Sequence, residues 1–376
     1  MVALMPMLLV LNLPDVDQSR LRSTVEKLSS YNTRNTNTPE LLHAAGWLAD
    51  EFRKIPGMEV ELMPYTVEAG RRIPATKEVV QVVATLRGRT DRRIIIGGHL
   101  DSYVVEGDPM TANAPGANDD ASGVALTLEI ARLMAGQQWE NTMVFVGFTG
   151  EEQGLLGSTA LAKRATAEGW TIDAVLSNDT VGSSRNKNKQ SNTKQVRLFS
   201  DESPDHESRE LARYVEWVGR QKMKGFGAKL VLRADRFGRG GDHTPFAREN
   251  FNAVRFIEVH EEYTRQHTTD DLVEHMDFGY LANVTRLNLA VATELASAAP
   301  QPTEVRIDRA QGHDTRLSWT ALTGVKYVVY WRDTGSPSWQ KAHEVGGVGE
   351  AIIQKVNKDD HFFAVGAVGG LPVAAR

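Results

Sequence analysis

At 376 residues the chain is long enough for about two to three domains, and its 41% apolar and 24% charged residues are those of a folded globular protein. It has no cysteine, which excludes disulfides, thiolate nucleophiles, Fe–S clusters and Cys-based zinc sites, so any metal must rest on His, Asp and Glu. A net charge of −5 provides no field for capturing nucleic acid or an anionic membrane, and a small molecule or another protein is the expected partner.

The apolar run from Ala3 to Leu13 is interrupted by Pro6 and falls short of the ~20 residues of a membrane-crossing helix. No Lys or Arg precedes it, so it makes a poor secretory signal. Thr38 followed by Pro39 reads as an N-cap and first-turn proline, opening a helix through Leu42, Trp47 and Phe52. Strands are predicted over Val79 to Leu86, Ile94 to Ile96, Met143 to Phe148, Ala174 to Leu176 and Val254 to Ile257. Helices are predicted from Ser122 through Met134, from a cap at Ser158 through Leu161, around Leu211 to Val218, and around Tyr280 to Val291. Continuously apolar strands separated by helices indicate an α/β fold, with a mixed, mostly parallel sheet sandwiched by helices. Asn186 to Lys194 is polar and reads as a mobile surface loop.

After Leu295 the pattern changes. Residues 299–303 read as a linker between a domain over 1–298 and a segment over 304–376 that lacks helical periodicity. There, short runs at Val305 to Ile307, Leu317 to Trp319, Tyr327 to Trp331, Ala351 to Ile353 and Phe362 to Val368 predict a small all-β sandwich.

In open α/β sheets the ligand site lies beyond the carboxyl ends of the strands. The residues that follow the predicted strands, or precede the helix at Ser122, include His99 and Asp101, Asp119 and Asp120, Glu151 and Glu152, Asp179, and His267 with Asp270 and Asp271. Singly each has an ordinary explanation: a structural histidine, a solvated Glu-Glu pair, an aspartate that only caps a helix. Together they place several carboxylates on one rim, where they repel and desolvate one another unless a strong cation lies between them. Two imidazoles and three or more carboxylates form a nitrogen and oxygen set suited to zinc, cobalt or manganese.

The blocks HLDS at 99–102, GANDDASG at 116–123, GFTGEEQGLLGS at 147–158, GDHTPF at 241–246 and QHTTDD at 266–271 resemble, in order and wording, those of the co-catalytic zinc aminopeptidase family, over roughly residues 35 to 298. The resemblance implies a zinc-exopeptidase fold, two Zn2+ ions (with Co2+ or Mn2+ as possible substitutes), and peptide substrates with a free N-terminus. It implies that His99 and Asp179 each bind one ion, that Glu152 and His267 bind the other, and that Asp119 bridges the two. Glu151 is then the general base for a hydroxide held between the ions, and the Asp119–Asp120 peptide is cis. Asp101 would orient His99 from behind, with Asp120 beside the bridge and Asp270 or Asp271 doing the same for His267. Substrate contacts are expected from Tyr263 and Gln266, the latter standing where relatives often carry Tyr, and from Asp242 and His243, for which a structural turn before Pro245 is the equal alternative. A periplasmic or secreted location follows from the same resemblance. The alternatives on this fold are a single-zinc glutaminyl-cyclase-like transferase, a carboxypeptidase and a catalytically inert ectodomain. LSW at 317–319 and KYVVYWR at 326–332 resemble core strands of a fibronectin type III module, although about 73 residues is short for one.

Overall fold

The structure is a computed structural model that describes residues 13–201, 203, 206–235 and 240–376; the apolar run before Leu13 lies outside the described residues. Strands β1 (Met58–Val67), β2 (Lys77–Leu86), β3 (Thr90–His99), β4 (Asn141–Phe148), β5 (Ile172–Asn178), β6 (Gln195–Phe199), β7 (Gly227–Val231) and β8 (Ala253–Glu258) form one sheet, ordered β1-β2-β4-β3-β5-β8-β6-β7. The helices are α1 (Gln18–Ser29), α2 (Pro39–Arg53), α3 (Ala121–Met134), α4 (Leu156–Ala167), α5 (Ser208–Lys222), α6 (His243–Arg248) and α7 (Phe278–Ser297). The centre β4-β3-β5-β8 is parallel throughout, and β6 pairs with β7 in parallel. Antiparallel pairing joins β1 to β2, β2 to β4 and β6 to β8.

Both faces of the sheet are covered, as the continuously apolar strands require. Ile94, Ile96, Phe145 and Leu176 face the core built with α1, α2, α3, α5 and α7. Ile95, Val144, Val146 and Val175 point the other way, onto Leu161 of α4 and Phe246 of α6. Two glycines set the spacing where β3 meets α3. A Cβ on Gly123 would stand 2.1 Å from the Asn178 carbonyl oxygen, and one on Gly98 would stand 2.5 Å from the Gly123 backbone. With hydrogens there instead, the ends of β3 and β5 and the start of α3 meet at one point.

Some local expectations shift. Thr38 stands at the N-cap of α2, but its hydroxyl donates back to the carbonyls of Thr33 and Asn35 instead of capping. The buried stripe of α2 runs through Leu41, Leu48 and Phe52, while Leu42 is 54% exposed. Ser158 lies inside α4, whose cap is Leu155 in a left-handed conformation. Asn186 to Lys194 includes a tight turn closed by an Arg185–Ser191 bridge, and the Lys187 N–H donates to Glu262.

Beyond α7 come β9 (Thr303–Ile307), β10 (Thr315–Thr320), β11 (Tyr327–Asp333), β12 (Lys341–Gly346), β13 (Glu350–Ile353), β14 (His361–Ala367) and β15 (Val373–Ala374). They form two antiparallel sheets, β13-β10-β9 and β12-β11-β14-β15, around Leu317, Trp319, Tyr327, Val329, Phe363 and Val365. Strand β12 escapes hydrophobic patterning because only Ala342 of it is buried. The opposite face of β11 and β14 packs Val328, Tyr330 and Ala364, together with Trp339, on Trp217 of α5. The rings of Trp217 and Tyr330 meet edge to face at 5.7 Å. The Tyr214 hydroxyl donates to the Gly369 carbonyl at 2.5 Å, and Arg213 Nε donates to the Pro337 carbonyl at 2.9 Å. The small sheets are thus docked on α5 through a packed aromatic contact and the hydrogen bonds of Tyr214 and Arg213. Trp339→Ala is expected to cost about 3–5 kcal/mol. An unchanged denaturant midpoint would show that the contact contributes nothing to stability.

Candidate active site

The carboxyl ends of β3, β4 and β5, the start of α3 and the loop before α7 deliver the expected residues to one buried rim. His99 is the last residue of β3, Glu151 and Glu152 follow β4, and Asp179 follows β5. Asp119 and Asp120 precede α3, and the peptide between them is cis. His267 comes from the segment after β8.

Asp119 lies between the two imidazoles. Its Oδ1 is 3.0 Å from His99 Nε2, and its Oδ2 is 3.1 Å from His267 Nε2. Asp179 Oδ1 stands 3.7 Å from His99 Nε2, and Glu152 Oε1 stands 3.0 Å from His267 Nε2. Ligands about 2.0–2.1 Å from a tetrahedral ion are separated from each other by ~3.3 Å. The spacings around His267 and from Asp119 to His99 lie close to that edge length, and His99 to Asp179 is wider at 3.7 Å. Glu152 Oε1 and Asp179 Oδ1 are buried without a hydrogen-bond donor. Such orphaned anionic oxygens beside imidazole nitrogens fit a divalent cation bound by nitrogen and oxygen.

Three overlapping groups have donor atoms within 4.8 Å of one another: Asp119, Glu152 and His267; His99, Asp120 and Asp179; and His99, Glu151 and Glu152. Asp120 is already committed. Its Oδ2 accepts from the His99 N–H at 2.9 Å, and its Oδ1 accepts from Gly123 N–H at 2.9 Å and Thr180 N–H at 3.2 Å. One aspartate therefore caps α3 and also ties down the chain at His99 and beside Asp179.

The surrounding groups hold the donors in place, in a different way from that expected. Asp101 meets His99 Nδ1 through its backbone carbonyl at 3.1 Å, whereas its carboxylate is 3.7 Å away. A carbonyl only accepts, so Nδ1 carries the proton of that bond, and Nε2 is the nitrogen turned to Asp119 that would bind a metal ion. The Asp101 carboxylate instead accepts the N–H groups of Glu151 at 3.2 Å and Glu152 at 3.1 Å. Neither Asp270 nor Asp271 bonds His267. Asp270 pairs with His275 and Arg265, and Asp271 accepts the N–H groups of Asn118 at 2.9 Å and Asp119 at 3.0 Å. His267 packs edge-on against Tyr103 at 5.8 Å, with Arg72 over the same tyrosine at 5.2 Å.

The four residues expected at the substrate divide. Gln266 Nε2 donates to Asp119 Oδ2 at 2.8 Å, so its amide reaches the central carboxylate. Tyr263 is 57% exposed, in the same surface hollow as Asn186 and Lys187. Asp242 and His243 are buried where α6 begins. Asp242 Oδ1 and His243 Nδ1 are buried without a hydrogen-bond partner among the described residues, and the Asp242 carboxylate is near enough to Glu151 to raise its proton affinity.

Charge crowding shifts the titrations. Burial, then the carboxylates of Asp179, Glu152 and Asp242, hold the Glu151 carboxyl well above its usual range, against the opposing charge of His99. Burial disfavours charge on His99 and His267, but the facing carboxylates outweigh it, and His267 is pushed up to about 11. Burial opposes ionisation of Asp119 as well, yet the two imidazoles hold it well below the carboxylate range.

Sequence reasoning missed two arginines. Arg34 is fully buried and donates to the carbonyls of Leu28, Leu100, Pro115 and Gly116, fastening the strand end that carries His99 to the loop that leads to Asp119. Arg255 reaches Asp179 from β8. A charged residue inside the apolar run Val254 to Ile257 was the available signal, because a strand covered on both faces cannot carry an unpaired cation.

Comparison with known proteins agrees with this geometry. Residues 81–292 match Peptidase family M28. A probable zinc metalloprotease of Leptosphaeria maculans is 34% identical, with 94% of this chain and 92% of that protein aligned. A probable zinc metalloprotease of Pyricularia oryzae is 36% identical, with 95% of this chain and 81% of that protein aligned. Among solved structures, the LapA aminopeptidase of Legionella pneumophila superposes with a TM-score of 0.61 at 22% identity, over 76% of this chain and 73% of that one. A glutaminyl cyclase of Bacteroides thetaiotaomicron superposes with a TM-score of 0.60 at 19% identity, over 74% of this chain and 98% of that one. These likenesses establish the zinc-exopeptidase fold. The chain is a zinc-dependent peptidase. It belongs to peptidase family M28.

One pH dependence follows from the burial of this rim. Burial, then the charge of Arg255, depresses the His243 imidazole to about 3. The unfolded chain binds that proton below about pH 6.5 and the folded chain does not, so this stabilisation is complete above 6.5 and is lost as pH falls toward 3. Relative to His243→Gln, the wild type is expected to lose about 1.4 kcal/mol per pH unit between pH 6 and 4. Parallel denaturant midpoints for the two proteins across that range would contradict a buried neutral imidazole.

Proposed function

We propose that this chain is a two-zinc aminopeptidase that removes residues from the free N-terminus of peptides. The carrying observation is the position of Asp119, whose two oxygens face different imidazoles at 3.0 and 3.1 Å. His99, Asp119 and Asp179 would hold one ion, and Asp119, Glu152 and His267 the other. Bound there, the ions supply Lewis-acid polarisation of the scissile carbonyl and bring the pKa of water to about 7.

Glu151 then carries the proton. Its carboxylate lies within 4.8 Å of the donor atoms of His99 and Glu152. The Asp101 carboxylate holds the Glu151 and Glu152 N–H groups together, so that the two side chains keep separate tasks. Glu151 takes a proton from the attacking water and returns it to the departing amine. Burial raises its affinity for that proton, the direction that suits a shuttle working near neutral pH. The Gln266 amide donates to Asp119 Oδ2 at 2.8 Å and has a second N–H that can steady charge developing on the carbonyl oxygen.

The single-zinc cyclase reading would leave His99 and Asp179, 3.7 Å apart on one side of Asp119, without work. A periplasmic or secreted setting belongs to this proposal and rests on the family resemblance. So does a fibronectin type III identity for residues 304–376, which the pair of three- and four-stranded sheets supports.

The test is a panel of aminoacyl anilides, N-acylated counterparts and N-terminal glutaminyl peptides, assayed with zinc titrated from a chelated protein. Cleavage of unblocked substrates only, saturating at two ions per chain, is expected. Cyclisation of the glutaminyl peptides at one ion per chain would replace the proposal with the cyclase reading. Glu151→Gln is expected to keep its zinc and lower kcat by about 10²–10⁴-fold. Asp119→Ala is expected to lose zinc and activity together, and two zinc ions retained in that variant would remove Asp119 from the bridge.

A further inference from the structure

Among the described residues, Arg255 is a buried cation that touches an expected zinc ligand and that the reaction described above does not use. It sits on β8 beside β5, with Ser177 opposite it in the register, two residues before Asp179. Its Nη2 is 2.8 Å from Asp179 Oδ2. Its Nη1 is 2.6 Å from Asp235 Oδ2 and donates to the Gly240 carbonyl at 3.1 Å. A Cβ on Gly241 would come within 3.0 Å of the Arg255 Cδ, so the chain at Gly241 lies directly against the arginine stem.

We propose that Arg255 is a positioning residue that fixes which oxygen of Asp179 faces the zinc site, and that links that carboxylate to the chain at Asp235 and Gly240. This rests on the two-zinc reading above. A free aspartate rotates about its terminal torsion and presents either oxygen. Here Oδ2 is taken by the guanidinium, and the donorless Oδ1 is left 3.7 Å from His99 Nε2. The planar fork of the guanidinium sets the angle at which its two nitrogens meet Asp179 and Asp235, which the point charge of a lysine cannot do.

The second carboxylate matters for charge. One arginine alone would cancel Asp179 and weaken it as a ligand for a cation. With Asp235 on the other nitrogen, the three groups together carry a net −1, so Asp179 is oriented and remains anionic. Removing a purely electrostatic arginine would tighten zinc binding. Removing a positioning arginine loosens it.

The experiment measures zinc affinity by chelator competition on the full chain for the wild type, R255K, R255Q and D179A, alongside the melting temperature of each zinc-free protein. D179A tests the underlying reading: if it binds two ions as tightly as the wild type, Asp179 is no ligand and the proposal falls with that reading. If D179A weakens one ion, the arginine variants decide. R255Q is expected to weaken that same ion by about 10–100-fold and leave the other unchanged. R255K should recover part of the loss, because it can still pair with Asp179 Oδ2. Unchanged or tighter binding of both ions in whichever arginine variant folds would overturn the proposal. So would equal weakening of both ions, which marks general loosening of the fold.

Discussion

Carboxylates buried within a few ångströms of one another cannot all remain ionised unless positive charge stands among them. Asp119, Glu151, Glu152 and Asp179 share such a space, facing two imidazoles and one guanidinium. The pattern of proton affinities records the crowding: Asp119 is drawn down by the imidazoles, Glu151 is driven up, and His267 is pulled up by the anions it faces. Divalent zinc relieves the same repulsion. The site is therefore better understood as a cage for cations than as a set of independently catalytic side chains.

Holding the cage open requires rigid support, and much of it comes from the backbone of the cage itself. Asp120, Asp101 and Asp271 are acidic residues of the motif blocks whose carboxylates are spent on N–H groups: Asp120 on His99, Gly123 and Thr180, Asp101 on Glu151 and Glu152, Asp271 on Asn118 and Asp119. Each fixes the chain that carries a neighbouring donor. Three of the eight acidic residues in these blocks thus spend their charge on the backbone that carries the other donors. Gly98 and Gly123 make the arrangement possible by letting β3, α3 and β5 converge without a Cβ between them.

The small β-sheets are attached at a distance from this chemistry, on α5, through Trp217, Tyr330 and Trp339. Leu371, near the end of the chain, joins the same core as Leu287 and Leu211. The C-terminal part is therefore built into the peptidase's own packing and does not hang from its linker.

The sequence alone determined a great deal. Parallel-sheet strands announce themselves because burial on both faces demands uninterrupted apolar residues, and four of the five candidate donors stand with Glu151 in blocks whose wording is specific, while Asp179 is marked only by following a strand. Short or half-polar elements, such as β12, α6 and the phase of α2, were not legible, since their apolar residues are too few to set a period. The resemblance named Asp119 as the bridge, but residue chemistry alone could not show which acidic residues grip the backbone, because Asp119 and Asp120 are chemically identical neighbours. Only the three-dimensional path of the chain decides that Asp119 meets two imidazoles while Asp120 caps a helix. Arg255 and Arg34 were decided in the same way. A buried charge is intelligible only through partners that lie far off in sequence and come within reach when strands and loops converge.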